Sequence, residues 1–181
     1  MSEPTYLGLL NSIAVNECKG ERLLSAWANA TPDAQLAETL RFVAIREGEH
    51  AAAFTKRLCE LGCAVDEASA FQVFKDFEGL LACVSSTASD ADKIAQLGGL
   101  EEREDPFGGF FKDTTIDPET GALLGRYIAE ERDSGRRLRA QYQRICGAAS
   151  APAASELAEL RACVDALRQE IDELKRMRSV A

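Results

Sequence analysis

The sequence predicts an all-α protein, and three observations carry that prediction. Apolar residues recur at alternating steps of three and four along most of the chain, the period of one helix face. The breaks between these stretches carry helix-start chemistry, as in Thr31-Pro32-Asp33 and Asp117-Pro118-Glu119-Thr120. No segment shows a sustained two-residue alternation of the kind a half-buried strand needs.

The first helix is expected from about Pro4 to Asn29, on the stripe Tyr6, Leu10, Ile13, Glu17, Gly20, Leu24, Trp27. The second starts at Thr31-Pro32-Asp33, with Thr31 as N-cap, and ends near Leu61-Gly62, where glycine supplies a left-handed cap. Their connection is very short, so the two are expected to pack antiparallel. A third helix is expected over Asp66 to Val84, carrying Phe71, Phe74, Phe77, Leu80, Leu81 and Val84, with Ser85-Ser86-Thr87-Ala88 as its break.

Ser89-Asp90-Ala91-Asp92 resembles a capping box. It opens a shorter helix to about Glu104, with Ile94, Leu97 and Glu101 on one row. An irregular loop, Asp105 to Phe111, follows. The helix that starts at Asp117 carries Leu124, Ile128, Glu131, Gly135, Leu138, Tyr142 and Ile145. Residues 1–146 thus read as one helical bundle. Residues 147–155, rich in alanine, serine and proline, read as a linker. Residues 156–181 read as a C-terminal helix whose Leu157, Leu160, Val164, Leu167, Ile171 and Leu174 form a heptad seam. Three heptads are marginal for a free coiled coil, so this helix is expected either to pair with its copy in a homodimer or to lie back on the bundle.

Composition excludes several classes. Thirty acidic residues face 21 basic ones, for a net charge of -9, and nucleic-acid binding needs the opposite footprint. No apolar run approaches the roughly 18 residues of a membrane span. The start, Met1-Ser2-Glu3-Pro4, lacks the features of a signal peptide, so a cytoplasmic protein is expected. Six cysteines occur without a Cys-x-x-Cys pair, which argues for free thiols and against a cysteine metal site.

The chemistry concentrates on the core stripes. Glu47 and His50, the only histidine, stand three apart on the second helix and share its inward face with Leu36, Leu40, Val43, Phe54, Leu58 and Leu61. Glu17, Glu101 and Glu131 also replace apolar residues on their stripes, giving one carboxylate on each of four helices. Glu17 to Glu47 and Glu101 to Glu131 are both 30 residues. Buried carboxylates need compensation, and oxygen donors with one imidazole suit iron or manganese. A metal-free alternative has Glu47 and His50 bonded to each other and bridged to Arg22 or Arg46.

The pattern resembles the ferritin-like superfamily, the rubrerythrin-type di-iron carboxylate proteins, over about residues 5 to 146. Those proteins carry a glutamate on helices one and three and Glu-x-x-His on helices two and four. Glu17, Glu47 with His50, Glu101 and Glu131 match these positions in order. The resemblance implies an antiparallel four-helix bundle with an extra connecting helix. It also implies one or two iron ions, manganese being the alternative, and an oxidoreductase reactive toward oxygen or peroxide. Glu78 and Glu102 are alternatives to Glu101. The second Glu-x-x-His is degenerate, because Ser134 stands where the family has histidine. No rubredoxin-like cysteine pair is present to deliver electrons. The competing function is a metal-free helical scaffold that dimerises or binds a partner through its C-terminal helix.

Overall fold

The computed structural model describes residues 6–99 and 113–150, with side chains through 147. Among these residues every regular element is a helix: α1 (Leu7–Ala30), α2 (Ala34–Glu60), α3 (Phe77–Ser85), α4 (Asp90–Gln96) and α5 (Pro118–Ser150). No helix is long and apolar enough to cross a membrane among the described residues. The chain divides into two compact units, residues 1–145 and 146–181. Of the second unit, only the last turn of α5 is described. The heptad helix of residues 156–181 and residues 151–155 of the expected linker lie outside the described residues.

Three long helices build the first unit. Tyr6 at the start of α1 donates to Asp117 at the start of α5 at 2.7 Å. Trp27 near the end of α1 stacks on Tyr142 near the end of α5, with centroids 5.7 Å apart. These two helices are therefore parallel. Arg57, at the end of α2, bonds Asp117 and Thr120, whereas Asp33, at its start, pairs with Arg144 at 2.8 Å. So α2 is antiparallel to both. Tyr6, Leu10, Ile13, Ala14, Phe54, Leu58, Leu124, Tyr127 and Ile128 form one core cluster at the end where α1 and α5 begin.

The α1–α2 turn follows the expected sequence signals with one residue reassigned. Asp33, not Thr31, caps α2, its carboxylate accepting from the Leu36 N–H at 2.8 Å. Thr31 accepts from the Asp33 N–H and donates to Asp90 of α4 at 2.6 Å. The far end of α2 closes as expected: Gly62 takes φ +79°, and the Cys63 N–H returns to the Leu58 carbonyl at 2.9 Å.

Of the expected helix over Asp66 to Val84, only the part from Phe77 onward forms. Residues 66–76 are turns and irregular chain, with Phe71 and Val73 exposed. The backbone groups of Asp66, Phe71 and Val73 among them are taken by α1 side chains. Asn11 accepts from the Asp66 N–H and donates to its carbonyl, both at 2.8 Å. Asn16 donates to the Phe71 carbonyl at 2.7 Å and accepts from the Val73 N–H at 3.0 Å. The Ser12 hydroxyl accepts from the Phe71 N–H. A strand of chain whose peptide groups are satisfied sideways has no need of a helix ladder. Asp76 then caps α3.

Ser89 caps α4 as expected, but α4 ends at Gln96, not near Glu104. Gly98 adopts φ +62° and the Gly99 N–H closes on the Ile94 carbonyl at 3.0 Å. The row that begins with Ile94 therefore leaves the helix at Leu97, and Glu101 lies outside the described residues. Between α2 and α5 the described residues form two short helices rather than a third long one.

Candidate metal centre

Three helices aim polar groups at one point in the bundle. Glu17 on α1 and His50 on α2 are 5 % and 4 % exposed. Glu131 comes from α5. One ligand atom from each lies within 4.8 Å of the others. His50 Nδ1 is 3.1 Å from Glu17 Oε2 and 3.4 Å from Glu131 Oε1. The second contact lacks hydrogen-bond geometry: Glu131 Oε1 is a buried oxygen with no hydrogen-bond partner. A buried carboxylate oxygen left without a donor is rare and costly.

Glu47 of α2 lies beside the set, in hydrogen-bond contact with Glu17. Its carboxylate lies against Gly20 of α1, where a Cβ would collide with Oε2 and meet the carboxyl carbon at 3.1 Å. The stripe glycine on α1 is thus the recess that admits this side chain. Burial and the charges of Glu17 and Glu131 hold the Glu47 carboxyl well above the usual range, and its hydrogen bond with Glu17 acts the same way. Burial also raises Glu17, while hydrogen bonds from His50 and from Tyr127, at 2.9 Å, act against it.

His50 is the counter-charge. Burial alone would lower its pKa, but the carboxylates of Glu131, Glu17 and Glu130 outweigh burial and lift it to about 10. Glu130, which the sequence did not mark, accepts from Nε2 at 2.8 Å. Its carboxyl is held low by His50 and Arg126, against the effect of burial. Partnering Nε2 in this way fixes the ring and presents Nδ1 to Glu17 and Glu131. The Tyr127 ring packs edge-on to His50, with centroids 5.0 Å apart, and to Phe54 at 5.2 Å. Glu130 belongs to the row of α5 next to the apolar stripe, so helical spacing alone does not select it.

Of the residues expected from sequence, Glu17, His50 and Glu131 come together, with Glu47 beside Glu17. Glu101 and its neighbour Glu102 lie outside the described residues. Glu78 is exposed in the first turn of α3, beside Lys19 and Arg22 on the surface, and does not belong to the cluster. The cations proposed to bridge a metal-free pair are engaged elsewhere. Arg22 stacks over Phe77 at 4.8 Å, and Arg46 reaches to α5, bonding the Glu130 carbonyl, Asp133 and Ser134. Trp27 is fully buried, donates to Asp90 at 2.7 Å and packs on Tyr142, an ordinary core role.

The donor set fits a hard or borderline divalent ion: carboxylate oxygens from Glu17 and Glu131 with one imidazole nitrogen, and the Glu47 carboxyl next to Glu17. Comparison with protein-family models, curated proteins and solved structures finds no match.

Proposed function

We propose that this chain is a metal-binding protein of ferritin-like design, holding iron or, alternatively, manganese between α1, α2 and α5. Glu17, Glu47, His50 Nδ1 and Glu131 are the ligands, and Glu130 orients His50. The observation that carries this reading is the buried Glu131 Oε1, which has no hydrogen-bond partner and lies 3.4 Å from Nδ1 of His50: a cation there would satisfy the oxygen and take the place of the Nδ1 proton. Iron bound there would supply one-electron chemistry toward oxygen or peroxide. Within this reading Tyr127 and Phe54 exclude water from one side of His50, and the Tyr127 hydroxyl donates a hydrogen bond to Glu17. The four-helix form of the family also asks for a glutamate on a third long helix, a position the described residues do not supply.

Metal analysis of the full-length protein, purified under iron supplementation, tests the proposal. One to two ions per chain are expected, and the Glu47→Ala, His50→Ala double variant should carry none. A chain that takes up no stoichiometric metal under any loading condition sinks it.

One observation favours a second reading, a metal-free helical scaffold. His50 already has carboxylates on both ring nitrogens, and a protonated imidazole offsets part of their charge. On that reading ferrous ion leaves the melting temperature unchanged. The homodimer expected from residues 156–181 is a separate proposal. Truncation after Gly147 should lower the mass seen by light scattering from dimer to monomer, and an unchanged mass rejects it.

A further inference from the structure

Resting on the metal reading above, we infer that the centre is built for a single ion, because Arg46 and Ser134 close the place of a second. Ser134 stands one helical turn beyond Glu131 on α5 and is 2 % exposed. In a Glu-x-x-His pattern this is the place of the histidine, as His50 is on α2. A serine hydroxyl is a weak substitute, and here one of its two lone pairs is already engaged. It accepts from the Arg46 guanidinium at 3.1 Å.

That guanidinium is firmly placed. The same Nη1 donates to the Glu130 carbonyl at 3.0 Å and to Asp133 Oδ2 at 3.1 Å. Its plane lies over the Phe42 ring, 4.6 Å from the centroid, and Arg137 covers Phe42 as well, at 4.7 Å. Asp133 is in turn bound by Arg137 at 2.7 Å. A fixed positive charge therefore sits against the one side chain from which α5 would complete a second site. A second divalent cation would face that charge in a partly buried setting, where like charges are poorly screened. The first position meets the opposite conditions: Glu17, His50 and Glu131 converge there, with no guanidinium among their hydrogen-bond partners in the described residues.

The two halves thus differ in charge as well as in donors. Arg46 directly precedes Glu47 in sequence, so α2 presents its carboxylate to one position and its cation to the other. Supplying histidine alone at Ser134 should not restore a second site, because the guanidinium would remain beside it.

Anaerobic titration of the full-length protein with manganous ion, followed by calorimetry and by electron paramagnetic resonance, tests this. The wild type should bind one ion per chain and show the spectrum of an isolated ion. Ser134→His should still bind one, and Ser134→His with Arg46→Gln should bind two and show exchange coupling. Two ions in the wild type overturn the inference. One ion in a folded double variant, checked by circular dichroism, overturns the role given to Arg46 and Ser134. If the double variant does not fold, the wild-type stoichiometry and spectrum decide alone. No ion in the wild type is a different result, for it removes the metal reading itself.

Discussion

Gly20 gives the Glu47 carboxylate its place, and that role is separable from stability. Alanine in a helix interior is favoured over glycine by about 1 kcal/mol, while the added Cβ would press on the end of a flexible side chain. Gly20→Ala should therefore change the unfolding free energy by less than about 1 kcal/mol in either direction. It should displace the carboxylate and weaken metal binding about tenfold, or about 1.4 kcal/mol. Competition with a chelator of known affinity measures this, and an unchanged affinity removes Glu47 from the ligand set. Glu130 acts through His50. Glu130→Ala should cost about 10- to 100-fold in affinity, the usual range for partners that orient a ligating histidine. Glu130→Gln, which retains an acceptor for Nε2, should recover part of it. The four clustered residues were legible because each breaks an apolar stripe. Glu130 was not, because its signal is a contact from another helix 80 residues away.

At the scale of elements, caps and glycines decided what periodicity could not. Gly62 and Ser89 were readable as punctuation, and Gly98 marks the end of α4 by the same physics. The run Phe71, Phe74, Phe77 suggested a helix starting at Asp66, eleven residues before α3 begins at Phe77, because the competing signal lay on α1. Asn11, Ser12 and Asn16 bind the backbone of residues 66–73, and nothing in the local sequence of that segment reports their presence. The start of α5 offers a test of cap energetics. Asp117 accepts from the Thr120 hydroxyl and N–H, from Tyr6 and from Arg57, which together hold its carboxyl well below the ordinary 3.8. A depressed folded value means that the stabilisation is present above about pH 4 and fades as pH falls through the folded pKa. Asp117→Asn should thus cost about 1 kcal/mol at neutral pH, asparagine remaining a competent cap. Urea unfolding of the two proteins should show the gap narrowing below about pH 4. A gap independent of pH would mean that the carboxylate charge contributes nothing there.

For the whole molecule, the question is whether the buried carboxylates serve the fold or something the fold binds. Glu131 separates the two. In the free protein its Oε1 has no hydrogen-bond partner, and its charge raises the carboxyls of Glu17 and Glu47. Replacing it with glutamine keeps the shape and removes a repulsion, while losing the 3.4 Å attraction to His50. These changes oppose each other, so Glu131→Gln should shift the stability of the metal-free protein by less than about 1 kcal/mol. Binding is another matter. An ion at about 100 times its dissociation constant adds about 2.7 kcal/mol to the native state. In a chain of this size that raises the melting temperature by about 5–10 °C. The wild type should show this rise on addition of ferrous or manganous ion, and Glu131→Gln should lose most of it. His50→Ala should differ from both, because it strips the cation from a nest of carboxylates. It should destabilise the metal-free protein by a few kcal/mol and abolish the response to metal. A scaffold that needs its polar layer would reverse the pattern: no metal response in the wild type, and a melting temperature for Glu131→Gln lowered as far as that of His50→Ala.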